Sequence, residues 1–309
     1  MLAPEIQAIV DMMSAAPGPP PHEVPIAQAR AGHDKETQVM SGPGEEVAHV
    51  ADRLAPGPGG DIPIRVFTPK DAQQTPLPLV AYVHGGGWVM GTVDGFDPLC
   101  RALANAAGAV VASIEYRLAP EHPFPAALDD VRAAVRWLHA SAEELGADPD
   151  RLAIAGDSAG GNLATVTARR LRDEGGPAIR YQALIYPVTD SAINTPSYRE
   201  KSDGFGLSAP SMQRYWRLYL DGADGGRPDT SPLRTPDLRG MPPAFILTVE
   251  DDVLRDEGEA YAKALEEAGV PVTVRRYDGP IHGFFRWLAK TELARRAVGD
   301  VAAALRDNV

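Results

Sequence analysis

Short apolar runs alternate with amphipathic stretches along most of the chain. Runs that are apolar nearly throughout predict strands, and the stretches between them repeat apolar residues at helical spacing. Buried strands separated by helices are typical of a mostly parallel sheet covered on both faces, so the pattern predicts an α/β fold. The predicted strands lie at 79–84, 110–115, 152–155, 182–186, 245–249 and 272–277, and the predicted helices lie near 97–107, 127–145, 159–172, 255–268 and 290–306.

Three parts of the chain depart from this alternation. Residues 4–14 predict a short amphipathic helix, which the proline-rich stretch 17–25 ends. Strand patterns at 47–54 and 62–68, on either side of a Pro/Gly turn, predict an antiparallel hairpin that opens the main domain. The segment from about 190 to 239 places an aromatic helix among Gly, Pro and Asp loops, and this composition suits a lid.

A serine on a strand-to-helix turn is the most specific chemical signal in the chain. The pentapeptide Gly-Asp-Ser-Ala-Gly at 156–160 follows an apolar strand and precedes a helical stretch. A Gly-x-Ser-x-Gly turn in that context holds the serine hydroxyl clear of the sheet, because glycines on both sides leave room for the sharp bend. The pattern predicts that Ser158 is a nucleophile.

A His-Gly-Gly-Gly run at 84–87 directly follows another predicted strand. Because glycines leave the backbone N–H groups uncovered, such a loop can stabilise the oxyanion that forms when a serine attacks a carbonyl. We predict that Gly85 and Gly86 donate to that oxyanion, together with Ala159 after the serine. For His84 we expect a hydrogen bond that orders the loop.

A serine hydroxyl needs a base, and the base needs an anion that fixes its orientation. His282 lies just after the strand at 272–277 and is the only histidine after the serine turn. Several carboxylates at 250–257 follow the preceding predicted strand. Carboxyl ends of parallel strands meet at one edge of a sheet, so these groups are expected to lie close to Ser158.

Composition removes several other classes of function. The formal net charge of −12 argues against a nucleic-acid partner, which normally needs a basic face. Cys100 is the only cysteine, so the chain lacks the thiols for an internal disulfide or a cysteine-based zinc site. No Lys or Arg precedes Arg30 and no apolar run is long enough to span a bilayer. We therefore expect a cytoplasmic protein without a membrane span.

Taken together, the motifs resemble the hormone-sensitive-lipase-like branch of the α/β-hydrolases, the bacterial family IV esterases. The resemblance covers roughly residues 45–309. It rests on His-Gly-Gly-Gly at 84–87, Tyr-Arg-Leu-Ala-Pro-Glu-His-Pro-Phe-Pro-Ala-Ala at 116–127, Gly-Asp-Ser-Ala-Gly-Gly-Asn-Leu-Ala at 156–164, Asp-Val-Leu-Arg-Asp-Glu at 252–257 and Ile-His-Gly-Phe at 281–284.

By this resemblance Ser158 is the nucleophile, His282 the general base and acid, and Asp252 the carboxylate that orients His282. Val253 stands where the family often has proline, and the neighbouring carboxylates leave the acid less well defined than the other two residues. The Gly-Asp-Ser-Ala-Gly form resembles the subgroup in which an aspartate, here Asp157, stands beside the nucleophile.

The resemblance also implies an organisation and a class of substrate. It implies an α/β-hydrolase fold with a helical cap: a cap arm at 1–45 and a catalytic domain at 46–309 that carries a cap insertion at about 190–239. It implies hydrolysis of short to medium acyl esters through an acyl-enzyme, with no metal or organic cofactor. A homodimer formed through the C-terminal sheet edge, near 272–277, is also expected.

Candidate pocket residues come from the glycine loop, the serine turn, the aromatic helix and the segment after His282. These candidates are Trp88, Asp157, Trp216, Phe284 and Phe285. Each of the four aromatic residues could line a substrate pocket or pack in the core.

Two other functions remain open from sequence. An amidase or small-substrate peptidase would use the same nucleophile and differ in how the leaving amine is protonated. A ligand-binding receptor could keep the scaffold and lose turnover, although its usual mark, a lost triad residue, is missing here.

Overall fold

The computed structural model describes residues 1–15, 18–72, 75–202 and 206–309. Within these ranges the centre of the molecule is an eight-stranded sheet. Its strands are β1 (His49–Gly57), β2 (Gly60–Thr68), β3 (Leu77–Val83), β4 (Val110–Ile114), β5 (Ala147–Asp157), β6 (Tyr181–Ile185), β7 (Ala244–Asp251) and β8 (Val272–Ile281).

The sheet is mixed, and most of its pairings are parallel. The strand order is β1-β2-β4-β3-β5-β6-β7-β8. β1 with β2 and β2 with β4 pair antiparallel, and the other neighbours pair parallel. The predicted hairpin and the mostly parallel sheet of the α/β-hydrolase fold are confirmed, and the carboxyl ends of β3, β5, β7 and β8 share one edge.

Helices cover both faces of this sheet. They are α1 (Pro4–Ser14), α2 (Ile26–Ser41), α3 (Val93–Ala107), α4 (Ala126–Ala140), α5 (Ala159–Asp173), α6 (Pro196–Glu200), α7 (Ala209–Leu220), α8 (Arg255–Glu267) and α9 (Glu292–Asn308).

Alternation along the central strand β3 divides the core into two layers. Every residue of β3 is buried, so this strand contacts helices on both of its faces. Leu79 and Val83 pack in the layer that contains α4, α5 and α8. Val80 and Tyr82 pack in the layer that contains α3 and α9. The sheet is therefore held between two packed layers, and the catalytic side chains were predicted at the edge where its parallel strands end.

Helix α2 is an element that the hydrophobic pattern did not predict. Thr37, Met40 and Ser41 are its buried residues, so its apolar stripe is too weak to detect by periodicity. It is held by polar contacts instead. Arg30 donates to the carbonyl of Val89 at 2.8 Å and also pairs with a carboxylate on the loop before α4.

Three boundaries also differ from the prediction. α3 begins at Val93 because the side chain of Thr92 caps it by accepting from the Gly95 N–H at 3.0 Å. α4 ends at Ala140, and a short 3₁₀ turn leads into β5, which starts earlier than the apolar run suggested.

No helix in the described part of the chain is both long and apolar enough to cross a membrane. The cytoplasmic location stays a prediction.

A buried carboxylate on α8 binds the segment directly after β6. Glu257 is 1% exposed. Its Oε1 accepts from the backbone N–H of Thr189 at 2.7 Å and lies 3.3 Å from the N–H of Asp190. The Thr189 hydroxyl donates back to the Glu257 carbonyl at 2.7 Å. Burial raises the pKa of Glu257 to about 8.

This raised pKa predicts a pH-dependent stability. The folded protein keeps Glu257 protonated up to about pH 8, whereas the unfolded chain releases that proton near the usual value of 4.5. The folded state therefore holds the extra proton between these values, and the contribution of Glu257 to the free energy of unfolding falls as pH rises through that window. Glu257→Gln carries no titrating proton and is expected to lack this decline.

Urea unfolding of both proteins between about pH 5 and about pH 9 tests this expectation. The stability of the wild type relative to Glu257→Gln should decrease as pH rises. Parallel stability curves for the two proteins would contradict it.

Candidate active site

Ser158 lies at a sharp turn between β5 and α5. Its backbone has φ 56° and ψ −120°, a conformation that non-glycine residues rarely adopt. Such a conformation costs about 1–3 kcal/mol and persists only where the surroundings impose it. Here the Ser158 N–H donates to the carbonyl of Ile185 on β6 at 2.8 Å, and the Ser158 carbonyl accepts from Asn162 at 3.1 Å and Val188 at 3.2 Å.

Two glycines allow this turn because α5 begins in direct contact with the backbone of the sheet. A Cβ on Gly156 would lie 2.5 Å from the Gly160 carbonyl oxygen. A Cβ on Gly160 would lie 2.5 Å from the His84 carbonyl oxygen and would overlap the Val83 carbonyl. The glycines are therefore required by close packing between the turn and the end of β3.

The structure brings the three predicted triad residues together. His282 Nε2 lies 3.0 Å from Ser158 Oγ, and His282 Nδ1 lies 2.6 Å from Asp252 Oδ2. Asp252 is 2% exposed, and its Oδ1 accepts from the Leu254 N–H at 2.9 Å. A carboxylate on Nδ1 favours the tautomer with a proton there, which leaves Nε2 free to accept the serine proton.

The carboxylates beside Asp252 have other partners. Asp251 accepts from Lys201 Nζ at 2.5 Å. Asp256 accepts from the backbone N–H of Ser197 at 2.7 Å and from Arg255 at 2.8 Å. Of the three candidates, Asp252 is thus the one that contacts the imidazole.

The glycine loop differs from the prediction at its first position. The Gly85 N–H donates to Asp157 Oδ1 at 2.9 Å, so it is already engaged and Gly85 is wrong as an oxyanion donor. Within the described part of the chain, the N–H groups of Gly86, Gly87 and Ala159 have no acceptor. Ala159 is the first residue of α5, where backbone N–H groups lack helical partners.

His84 is buried beneath this loop and does not contact Ser158. Its Nδ1 lies 2.8 Å from the Gly85 carbonyl oxygen, and its ring stacks on Tyr116 with centroids 4.3 Å apart. The Tyr116 hydroxyl donates to the His84 carbonyl at 2.9 Å. Burial lowers the pKa of His84 to about 4, so the ring is neutral near pH 7.

The aromatic pocket candidates divide into two groups. Trp88 and Trp216 are buried together, with centroids 4.5 Å apart, and Trp88 also stacks on Tyr219 at 4.3 Å. Phe284 and Phe285 are fully buried in the core layer that contains α9.

Two tyrosines that sequence reasoning missed lie beside the predicted catalytic groups. Tyr186 directly follows β6, has φ 36°, and tilts against the His282 ring with centroids 4.5 Å apart. Tyr215 on α7 packs against Gly87, since a Cβ there would lie 2.7 Å from the tyrosine Cγ. The position of Tyr186 just past a parallel strand was a usable signal, whereas nothing in the sequence pairs Tyr215 with Gly87.

The loop that carries His282 is joined to the N-terminal arm through Arg286. The guanidinium lies 3.0 Å from His33 Nε2 and donates to Thr37 Oγ1 at 2.7 Å. The Ser41 hydroxyl donates to the Arg286 carbonyl at 2.6 Å. Burial lowers the pKa of His33, and the nearby Arg286 lowers it further. Helix α2 therefore braces the segment just after the histidine.

Comparisons with known proteins agree with this geometry. A family model described as alpha/beta hydrolase fold matches residues 80–286. The chain is 44% identical over 250 residues to the carboxylesterase NlhH of Mycobacterium tuberculosis, covering 80% of this chain and 78% of that protein. It is 36% identical over 314 residues to an ethyl acetate hydrolase of Pseudomonas putida, covering 100% and 98% of the two chains.

A solved structure extends the likeness to three dimensions. An ester hydrolase from the metagenome of Lake Arreo, in complex with a bipyridine phosphonate derivative, superposes with a TM-score of 0.95. The two proteins are 41% identical, and the match covers 99% of each chain. The chain therefore belongs to the hormone-sensitive-lipase-like esterases of the α/β-hydrolase superfamily and is a carboxylesterase.

Proposed function

We propose that this carboxylesterase hydrolyses short to medium acyl esters through an acyl-enzyme formed on Ser158. The observation that carries the proposal is the continuous hydrogen-bond chain from Ser158 Oγ through His282 to Asp252. A serine hydroxyl is a weak nucleophile at neutral pH, and this chain supplies both the base and the anion that orients it.

Catalysis then proceeds in two displacements. In the first, His282 Nε2 takes the Ser158 proton as Oγ attacks the ester carbonyl carbon, and the imidazolium returns that proton to the departing alkoxide. In the second, His282 takes a proton from water, the hydroxide attacks the acyl carbon, and the proton returns to Ser158 as the acid leaves. Asp252 stabilises the imidazolium in both displacements without taking its proton.

The oxyanion of each tetrahedral intermediate faces the amides that lack acceptors. Gly86, Gly87 and Ala159 supply these N–H groups, which belong to a loop and a helix start fixed by close packing. Donors that are already oriented stabilise the developing charge without reorganising during the reaction.

Ser158→Ala is expected to reduce kcat on nitrophenyl acyl esters by about 10⁴- to 10⁶-fold, because only binding and oxyanion contributions remain. The thermal unfolding midpoint should change little, since the substitution removes one hydroxyl. Retained activity in a folded Ser158→Ala protein would contradict the proposal.

A matched anilide, run beside the ester, distinguishes esterase from amidase activity in the wild type.

The preference for short to medium acyl chains is supported by Tyr215. Its ring rests on Gly87, next to the amides proposed to hold the oxyanion. A long acyl chain passing this point would have to displace the ring. The likeness to an ethyl acetate hydrolase supports the same preference.

Tyr215→Ala should therefore widen the acyl specificity. We expect kcat/KM for an octanoyl ester, relative to a butyryl ester, to rise about tenfold. This is the size of effect typical when an apolar pocket gains room for additional methylene groups. Tyr215→Phe keeps the ring and serves as the matched control, with an unchanged profile. An unchanged chain-length profile in Tyr215→Ala would contradict this role.

We propose further that the arm at 1–45 and the insertion at about 190–239 form one cap. The contact that supports this arrangement is Arg214 on α7, whose guanidinium donates to the Pro21 carbonyl at 3.1 Å. Arg286 and α2 attach the arm to the histidine loop as described above.

We also propose a homodimer through the edge strand β8. Its arginines are engaged within the chain: Arg275 pairs with Asp300, and Arg276 pairs with Glu259. Val274 is 42% exposed beside them. An open edge strand can pair with that of a second copy.

Light scattering tests this assembly. The wild type is expected to have the mass of a dimer. Val274→Asp would place a charge on the proposed pairing edge and is expected to give an active monomer. A monomeric wild type at the working concentration would contradict the dimer.

A further inference from the structure

The carboxylate beside the nucleophile has no part in the two displacements, yet it is held as tightly as the triad acid. Asp157 is the last residue of β5 and is 4% exposed. Its Oδ1 accepts from the Tyr82 hydroxyl at 2.8 Å and from the Gly85 N–H at 2.9 Å. Both donors belong to β3 or to the loop that follows it, so Asp157 joins the serine turn to the glycine loop.

The loop rests directly on this residue. A Cβ on Gly85 would overlap Asp157 Oδ2 and would lie 2.9 Å from the Asp157 carbonyl oxygen. Gly85 is therefore glycine because the aspartate occupies the space of its side chain. The first amide of the run is therefore engaged by Asp157 and is not available to an oxyanion.

A run of glycines has no side chains with which to fix its own conformation, and it loses much backbone freedom when ordered. Beyond Gly86 the loop is held by its own turn, in which the Gly86 carbonyl accepts from Val89 at 3.1 Å and Met90 at 2.9 Å. On the strand side, the hydrogen bond from Gly85 to Asp157 restrains the peptide that precedes the Gly86 amide, and His84 Nδ1 lies 2.8 Å from the carbonyl oxygen of the peptide that carries it.

We propose that Asp157 is a positioning residue for the oxyanion site, with Tyr82 as its support. The carboxylate holds the Gly85 N–H and thereby sets the orientation of the next two amides, those of Gly86 and Gly87. Tyr82 fixes the carboxylate, since its hydroxyl donates to the same oxygen. This role rests on the acyl-enzyme mechanism proposed above, and it makes Asp157, which the sequence predicted as a pocket residue, a group that acts through the Gly85 amide.

The hydrogen-bond acceptor at Oδ1 is the chemical requirement, which makes a graded set of variants informative. Asp157→Asn retains a carbonyl oxygen at that position, Asp157→Ala removes it, and Tyr82→Phe removes the supporting hydroxyl alone. Thr165→Val is the matched control, because it removes a buried hydrogen bond to Tyr261, 2.7 Å long, on another part of α5.

The experiment measures kcat and KM of each variant on a short nitrophenyl ester. The concentration of active sites, on which kcat depends, is obtained by titration with a fluorophosphonate. Asp157→Ala should lose about 10²- to 10³-fold in kcat, the scale of losing an oxyanion donor, with KM within about twofold. Tyr82→Phe should lose about tenfold, and Asp157→Asn should recover most of the activity of the wild type. Thr165→Val should retain the kcat of the wild type.

Binding of a boronic acid, which forms a tetrahedral anion on the serine, supplies a second readout. Its affinity should fall in parallel with kcat/KM across Asp157→Asn, Tyr82→Phe and Asp157→Ala, because both quantities depend on the oxyanion donors. If Asp157 had a purely structural role, its variants would contain a smaller fraction of molecules that react with the fluorophosphonate, but the kcat per active site would equal that of the wild type. That result would overturn the proposal.

If Asp157→Ala does not fold, Tyr82→Phe still decides the question, since an unchanged kcat and boronate affinity in that variant would overturn the proposal. Failure of the underlying mechanism has a separate signature. In that case the wild type itself would not be labelled by the fluorophosphonate at Ser158.

Discussion

The close packing of α5 against the end of β3 is the constraint on which the site depends. Backbone contacts at Gly156 and Gly160 leave no room for side chains and force the turn at Ser158 into an unfavourable conformation. That strain is sustained by a sheet whose central strands are buried on both faces. Because the same contact involves the carbonyls of Val83 and His84, it also sets the distance between the serine and the glycine loop.

Two buried aspartates each hold a group that acts on the reaction at Ser158. Asp252 accepts from a histidine at the end of β8, and Asp157 accepts from an amide at the end of β3. Each carboxylate also accepts a further hydrogen bond, from Leu254 or from Tyr82, so neither is left as an unpaired buried charge. Their partners decide their proposed roles: one orients the base, and the other orients the loop that receives the oxyanion.

The residues around this centre connect it to the outer elements. Arg286 ties the segment after His282 to α2, and Tyr215 brings α7 onto the glycine loop. Glu257 fastens the chain after β6 to α8, the helix that follows Asp252. The proposed cap is therefore attached at the same loops that carry the chemistry, which explains how it could shape acyl specificity without supplying a catalytic group.

Much of this arrangement could be predicted because strong patterns encode it. Buried strands, the Gly-x-Ser-x-Gly turn and a single histidine after it predicted the sheet and the meeting of Ser158 with His282. Helix α2 escaped prediction because polar contacts hold it and its apolar stripe is weak. Gly85 was misassigned because its amide is satisfied by a carboxylate 72 positions away, and pairings at that distance leave no local signal.

Similar reasons explain why other site residues could not be assigned from the sequence pattern alone. An aromatic residue such as Phe284 or Phe285 fits a pocket wall as well as a core, and the sequence does not show that both are buried in the layer that contains α9. Asp251, Asp252 and Asp256 are chemically equivalent in sequence, so Asp252 was predicted as the triad acid only through the family resemblance, and its contact with His282 distinguishes it from the other two.

Peptide mapping by mass spectrometry after reaction with a fluorophosphonate tests the central claim most directly. An activated serine should carry a single covalent adduct, located on the peptide that contains Ser158, and labelling should be lost in His282→Ala because the base is gone. An adduct on another residue, or labelling of Ser158 at an undiminished rate without His282, would contradict the account.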